Sequence, residues 1–231
     1  MLAADDDPVV KQAAILQLWR QGRTEAAEPK RDELRRAHGD ALREAAQFLC
    51  DTLRDPQSAS IIRQRFATET LNGVDQANLL GGLRHVGGAE DVPLYVERIL
   101  RGGTNDDVRG SERTYLSEYA SLYVQTLGKA AVAPLAQALD RASNERVRLE
   151  LLDALRGTVK GADPDAARAA NDRIFALLLD PAQSMKLRRE AADTICYFDD
   201  PALGARLYAL RDKVGDKALA DRIIDLYASF F

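Results

Sequence analysis

The sequence predicts an all-α protein, and three observations predict it. Alanine and leucine, both strong helix formers, number 37 and 31 and make up 29% of the 231 residues. Apolar residues recur at three- and four-residue intervals in segment after segment, the period of a helix with one buried face. Runs of alternating Val, Ile and Thr, which strands would need, are scarce. Aromatic residues are only 6% of the chain, so helices must pack through small and aliphatic side chains. At 46% hydrophobic, the chain has ample material for a core and does not read as disordered.

Charge narrows the function classes. Lys and Arg number 32 against 36 Asp and Glu, a net charge of −4, with both signs interspersed. This argues against a nucleic-acid binder that works through phosphate contacts, which gathers Lys and Arg on one face. No apolar run approaches the roughly 18 residues of a membrane span. Residues 1–8 lack the basic and apolar regions of a signal peptide, so the cytoplasm is the default expectation, although a mature exported form would read the same. Two cysteines, Cys50 and Cys196, fall in helical apolar patterns and read as small buried hydrophobes.

Taken in order, the first helix is Pro8–Arg20, with Val9, Ala13, Leu16 and Trp19 on one stripe. That stripe needs cover. Either segment 24–37 folds back over it, or the chain is a fragment or matured product of a larger scaffold. Segment 40–53 comes next with Leu42, Ala45, Ala46, Leu49 and Leu53, then a second helix centred on Ile62-Arg63. Segments 24–37 and 75–86 are helical extras, and the glycines at 87, 88, 102 and 103 flank a helix over 89–101.

A repeat emerges from the rest. Asp55, Asp140 and Asp180 are each followed eight residues later by an apolar-Arg pair ending at Arg63, Arg148 and Arg188. Apolar residues then recur three and four places on: Phe66 and Ala67, Leu151 and Leu152, Ala191 and Ala192, with Thr70, Leu155 and Ile195 seven places on. Asn144 and Ser184 precede the last two helices as N-caps, whereas the first copy has Ala59 at that place, flanked by Ser58 and Ser60. Each helix is preceded by another amphipathic helix, over 40–53, 129–139 and 165–179. A middle unit over 89–128 has two registers, one on Val108-Arg109 and a better one on Leu116-Ser117, with Ala120, Ser121 and Val124 in the stripe and Gly128 at its end. A last pair, 201–214 and 216–231, completes the chain.

This pattern resembles the HEAT-repeat family, whose units are helical hairpins of about 40 to 47 residues. The match is clearest from Gly128 to Asp140, with Pro134 in the first helix, and then Asn144 to Arg148. The resemblance implies a right-handed superhelical solenoid of antiparallel hairpins, about five units in a single domain over 1–231. Residues 1–39 are irregular and 128–231 the most regular. It also implies that Arg63, Arg148 and Arg188 pair structurally with the turn residues Asp55, Asp140 and Asp180. The implied function is a non-catalytic scaffold that binds a protein or peptide on its concave face.

Competing chemistry finds little support in the residues. His38 and His85 are the only histidines and have no ligand spacing, so no metal site, cofactor or catalytic residue is expected. Gly81-Gly82 and Gly87-Gly88 lack the strand that a phosphate loop requires. HEAT-like enzymes include bilin lyases and DNA glycosylases; the second needs aromatic residues around an extruded base and a basic groove, and Trp19 is the only tryptophan. The candidate partner-binding residues are Tyr115, Tyr119 and Tyr123, spaced i, i+4, i+8 on one helix. They read either as packing beneath the extra helix 75–86 or as exposed aromatic anchors of the kind enriched at binding hot spots.

Overall fold

The computed structural model describes residues 7–102, 111–198, 200–228 and 230, and of 111–115 the backbone alone. Among these the protein is all-helical with no strand. The helices form two compact units, Met1–Gly87 and Gly88–Phe231.

The first unit contains α1 (Pro8–Arg20), α2 (Glu28–Arg36), α3 (Gly39–Ala46), α4 (Pro56–Thr68) and α5 (Gly73–Val86), with a 3-10 turn at Thr24–Ala27. Helices α2 and α5 each pack on both α3 and α4. The two segments expected as extras therefore form part of this unit's core. Leu34 of α2 and Leu79, Leu80 and Leu83 of α5 are buried beside Leu42, Leu49 and Ile62, each such side chain contributing about 1.5–3 kcal/mol.

That cover also corrects the first copy of the repeat. Ala67 and Thr70 are exposed and Phe66 half-buried, while Ile61, Ile62 and Arg65 turn inward. Helix α4 starts a turn earlier than its counterparts: Asp55 itself is the N-cap, accepting from the Gln57 amide, and Pro56 comes next. Its buried face is then set by α2 and α5 on either side. Helix α3 runs on through a π-helical turn at Gln47–Thr52. Leu53 and Asp55 donate their amides to the Phe48 and Leu49 carbonyls, and Arg54 lies between them at φ 54°. This closes the helix as glycine usually does, but with an arginine.

Helix α1 has no fully buried residue, and Val9 is 73% exposed. The turn at Thr24–Ala27 packs against it, and the Arg31 guanidinium lies 5.9 Å above the Trp19 ring.

The second unit contains α6 (Val92–Arg101), α7 (Ser111–Val124), α8 (Val132–Arg141), α9 (Glu145–Thr158), α10 (Pro164–Leu179), α11 (Met185–Ile195), α12 (Pro201–Tyr208) and α13 (Lys217–Ala228). Consecutive helices pair, α6 with α7, α8 with α9, α10 with α11 and α12 with α13. Across pairs, α6 packs on α8 and α8 on α10, while α7 packs on α9, α9 on α11 and α11 on α13. The predicted stripes face these contacts: Val147, Leu151, Leu152 and Leu155 of α9 are buried, as are Leu187, Ala191, Ala192 and Ile195 of α11. In α7 the register on Leu116-Ser117 holds, with Ala120, Ser121 and Val124 buried. Val108 and Arg109 lie outside the described residues. Gly128, at φ 57°, breaks the chain's helical course before α8.

Helix starts obey a rule that the repeat alignment does not contain. Asp7, Asp55, Asp163 and Asp200 each cap a helix with their side chain and are followed by proline in its first turn. Proline has the right φ there and no amide hydrogen to satisfy. Asn144 and Ser184 cap α9 and α11 as expected, and Asn72 caps α5. The last pair is shorter than predicted, because α12 ends at Tyr208.

Candidate functional site

Helix α7 buries Leu116, Ser117, Ala120, Ser121 and Val124 and so presents a second face made of Glu118, Tyr119, Leu122 and Tyr123. The i, i+4 spacing brings the Tyr119 and Tyr123 rings into a stack, with centroids 5.6 Å apart and planes at 17°. Tyr119 is 41% exposed and Leu122 54%. An apolar face of this kind, carrying rigid rings with a polar tip, is suited to a partner surface. The side chain of Tyr115 lies outside the described residues.

Beside this face runs a polar seam between α7 and α9. Arg146 Nη2 lies 3.7 Å from Glu118 Oε1, and Arg146 Nε donates to Glu150 Oε1 at 2.9 Å. Ser121 donates its hydroxyl to the Glu150 carbonyl oxygen at 3.1 Å. Glu150 Oε2 is buried without a partner among the described residues. Burial raises the Glu150 carboxyl above its ordinary pKa, against the pull of Ser117 and Arg146.

At Asp55, Asp140, Asp180, Arg148 and Arg188 the hydrogen bonds run to groups other than the Asp–Arg pairs that the resemblance implies, although the charges of Arg148 and Arg188, behind the hydrogen bonds from Gln183 and Ala182, both help to lower the Asp180 pKa. Asp55 is fully buried and takes both prongs of the Arg31 guanidinium and the Ser58 hydroxyl. Asp140 is exposed and accepts from Arg173 Nε at 2.8 Å. Asp180 closes its own turn, accepting from the Ala182 amide and the Gln183 side chain. Arg148 and Arg188 act alike. Each donates to a carbonyl of its own hairpin turn, Ala142 and Leu178 respectively, and with another nitrogen reaches the next turn, Gln183 Oε1 for Arg148 and the Val214 carbonyl for Arg188. A forked cation stitching two turns explains the recurrence of Arg without any ligand. Arg63 is half-buried, and the buried arginine of α4 is Arg65, which donates to the Leu34 and Ala37 carbonyls.

Both histidines belong to turn contacts. His38 Nδ1 lies 2.6 Å from Asp75 Oδ2, and the Gly39 amide donates to Asp75 Oδ1 at 2.8 Å. His85 is held between Arg54 Nη1 and Arg84 Nε, each 2.9 Å from a ring nitrogen. Burial and then the Arg84 charge lower its pKa. The spacing of 37 residues between His38 and Asp75 gives no local signal for this pair. Among the described residues no group of three His, Cys, Asp or Glu side chains is placed to hold a metal ion. Cys50 is buried and its thiol pushed up to about 12 by burial, whereas Cys196 is half-buried, so only the first behaves as a core hydrophobe. No helix is long and apolar enough to cross a membrane among the described residues.

No protein-family model matches this chain, and no curated protein matches it.

Proposed function

We propose that the chain is a HEAT-like solenoid of about five hairpins that serves as a non-catalytic scaffold and takes a protein or peptide partner on the face of its second helices. The observation that carries this reading is the stacked pair Tyr119 and Tyr123 on α7, with the exposed Leu122 beside it. The pairwise packing of α6 to α13, first helix on first helix and second on second, supports the architecture. In such a stack α7, α9, α11 and α13 line the inner face, a long preformed surface. Arginines that tie one turn to the next keep that surface rigid, which lowers the ordering cost of binding.

The test replaces Tyr119 and Tyr123 with alanine, singly and together, and compares melting temperature with capture of protein partners from the native host. The scaffold reading expects capture to fall while melting changes little. A melting loss of several degrees, with capture unchanged per folded molecule, assigns the tyrosines to packing. Small-angle scattering tests the architecture: a compact globule of this length has a radius of gyration of roughly 17 Å, and an open solenoid must exceed it.

A further inference from the structure

Helix α1 is apolar along its length without being covered. Eight of its thirteen residues are Val, Ala, Ile, Leu or Trp, yet none is buried. Val10, Ala14, Ile15, Leu18 and Trp19 are half-buried on one side of the helix. Val9, Ala13, Leu16 and Arg20, spaced i, i+4, i+7 and i+11, share the other side, and all but the half-buried Leu16 are exposed. A groove of about 540 Å³ runs beside this stripe, lined by Val9 and Gln12 of α1 and by Glu44, Gln47 and Phe48 of α3 and its π-helical turn. The stripe and the groove form one surface roughly 20 Å long, the length of a thirteen-residue helix.

The charges at its two ends identify what fits it. Asp7 caps the start of α1, and Glu44 lines the groove together with Val9, so this end is acidic. Arg20 lies in the last turn and Arg23 just beyond it, where it donates to Glu25 at 3.3 Å, so the far end is basic through Arg20 above all. Lys11 is two residues on from Val9 and points away from the stripe. A surface that is acidic at one end, apolar in the middle and basic at the other is complementary to itself turned end for end. The side chains agree with that arrangement. Val9 and Arg20 lie equally far along the helix from the point midway between Ala13 and Leu16, so one two-fold axis at that point sets small Ala13 against large Leu16 and Val9 against the aliphatic stem of Arg20. Antiparallel helices also align their dipoles favourably.

We propose that the exposed face of α1 pairs antiparallel with the same face of a second copy of this chain, forming a two-fold symmetric dimer. Val9, Ala13 and Leu16 of the two copies interdigitate along the axis, and Arg20 of each copy reaches the Asp7 and Glu44 end of the other. Because the contact is isologous, each pairing occurs twice and the assembly closes at two chains. The contact is short for a specific interface, so a dissociation constant of roughly 10–100 μM is expected. The surface lies wholly within the first unit and is independent of the scaffold reading, whose tyrosines belong to the second.

Sedimentation equilibrium of the whole chain from roughly 1 μM to 1 mM tests it. The mass should rise from 25.4 kDa towards twice that value and no further. V9D places a charge in the stripe and should weaken the dimer by about tenfold or more, since it counts twice across the axis. An acidic residue in the first turn favours the helix, so V9D should melt no lower than the parent when both are monomeric. R20E sets like charges against each other and should weaken the dimer by about tenfold as well. R20E/E44R exchanges the charges across the axis and should recover the affinity that R20E loses, which a parallel pair or a contact elsewhere would not do. A chain that stays monomeric to roughly 1 mM overturns the proposal, whatever other molecule α1 then binds. So do a dimer that V9D and R20E leave unchanged, a double variant no tighter than R20E, and growth beyond two chains, the mark of a head-to-tail contact.

Discussion

Arg31 and Asp55 meet in a two-pronged ion pair sealed inside the first helical unit, with Nε to Oδ2 and Nη2 to Oδ1 both at 2.9 Å. Asp55 is also the N-cap of α4, so a single carboxylate fixes where one helix begins and where α2 lies against it. A buried pair of this kind adds little over an apolar pair of the same shape. Removing one half is costly, because the other charge stays buried without its counterion.

The first prediction is that D55A destabilises the protein by about 3 kcal/mol, the low end of the range for breaking a buried pair. The low end applies because Glu28, half-exposed, still meets Arg31 at 3.0 Å. Burial alone would raise the Asp55 carboxyl, but the hydrogen bonds from Arg31 and Ser58 outweigh it and hold the carboxyl below its ordinary range. A lowered folded value means stability that is present above the unfolded carboxylate pKa of about 4 and is lost as pH falls through the folded one. Denaturant unfolding of parent and D55A should therefore differ most at neutral pH and converge in acid. An equal gap at pH 7 and in acid would contradict the assignment.

Glu150 carries the opposite sign. Burial raises its carboxyl, so between the unfolded value of about 4.3 and the folded one the native state binds more protons than the unfolded chain. Stability then falls as pH rises through that window, and the cost remains at neutral pH. Replacement by glutamine removes the charge and keeps an oxygen for the Arg146 bond. E150Q should melt above the parent near pH 7 and level with it near pH 4, by circular dichroism at each pH. A lower melting temperature at pH 7 would mean that the Arg146 pair outweighs the burial.

Legible in the sequence is whatever adjacency along a helix controls. Asn144 and Ser184 as caps, the stripes through Leu151 and Ala191, and the Tyr119 and Tyr123 stack all arise from spacings of three to five residues. The failures share a cause as well. Aligning α4 with its counterparts puts Ala67 in the core, yet the buried face of α4 is set by α2 and α5, which pair with it from outside the repeat. Arg31 and Asp55 are 24 residues apart, and no local period announces such a pair. The Asp-Pro dipeptides at 7, 55, 163 and 200 are readable as a cap and a first-turn proline, but an alignment keyed on Arg passes over them.

Thiol reactivity separates the two cysteines. Cys50 is fully buried, and a thiol pushed up to about 12 holds almost no thiolate at pH 8. Cys196 is half-buried. A maleimide or disulfide reagent at pH 8 should modify one thiol per native molecule, and peptide mapping should locate it at Cys196. The second thiol should react only as the first unit opens, with a rate that rises with denaturant. Rapid labelling of Cys50 in the absence of denaturant would show that the α3, α4 and α5 packing opens far more readily than its buried leucines imply.

Gly204 offers a test in which two well-understood effects have opposite signs. It lies inside α12, where alanine is favoured over glycine by about 1 kcal/mol, a rise of roughly 2–4 °C in a chain of this size. A Cβ at this position would stand 2.7 Å from Phe230 Cγ and 2.8 Å from Cδ2, closer than real contacts allow. The phenyl ring must then leave its seat, and its packing is lost. Packing should win, so G204A melts below the parent. Once the ring is gone, however, the propensity gain has nothing to oppose it. The double variant G204A/F230A should therefore melt above F230A alone by roughly those same 2–4 °C, the non-additivity expected of residues in contact. If G204A alone melts above the parent, Phe230 does not seat against α12 and the helix behaves as an isolated one.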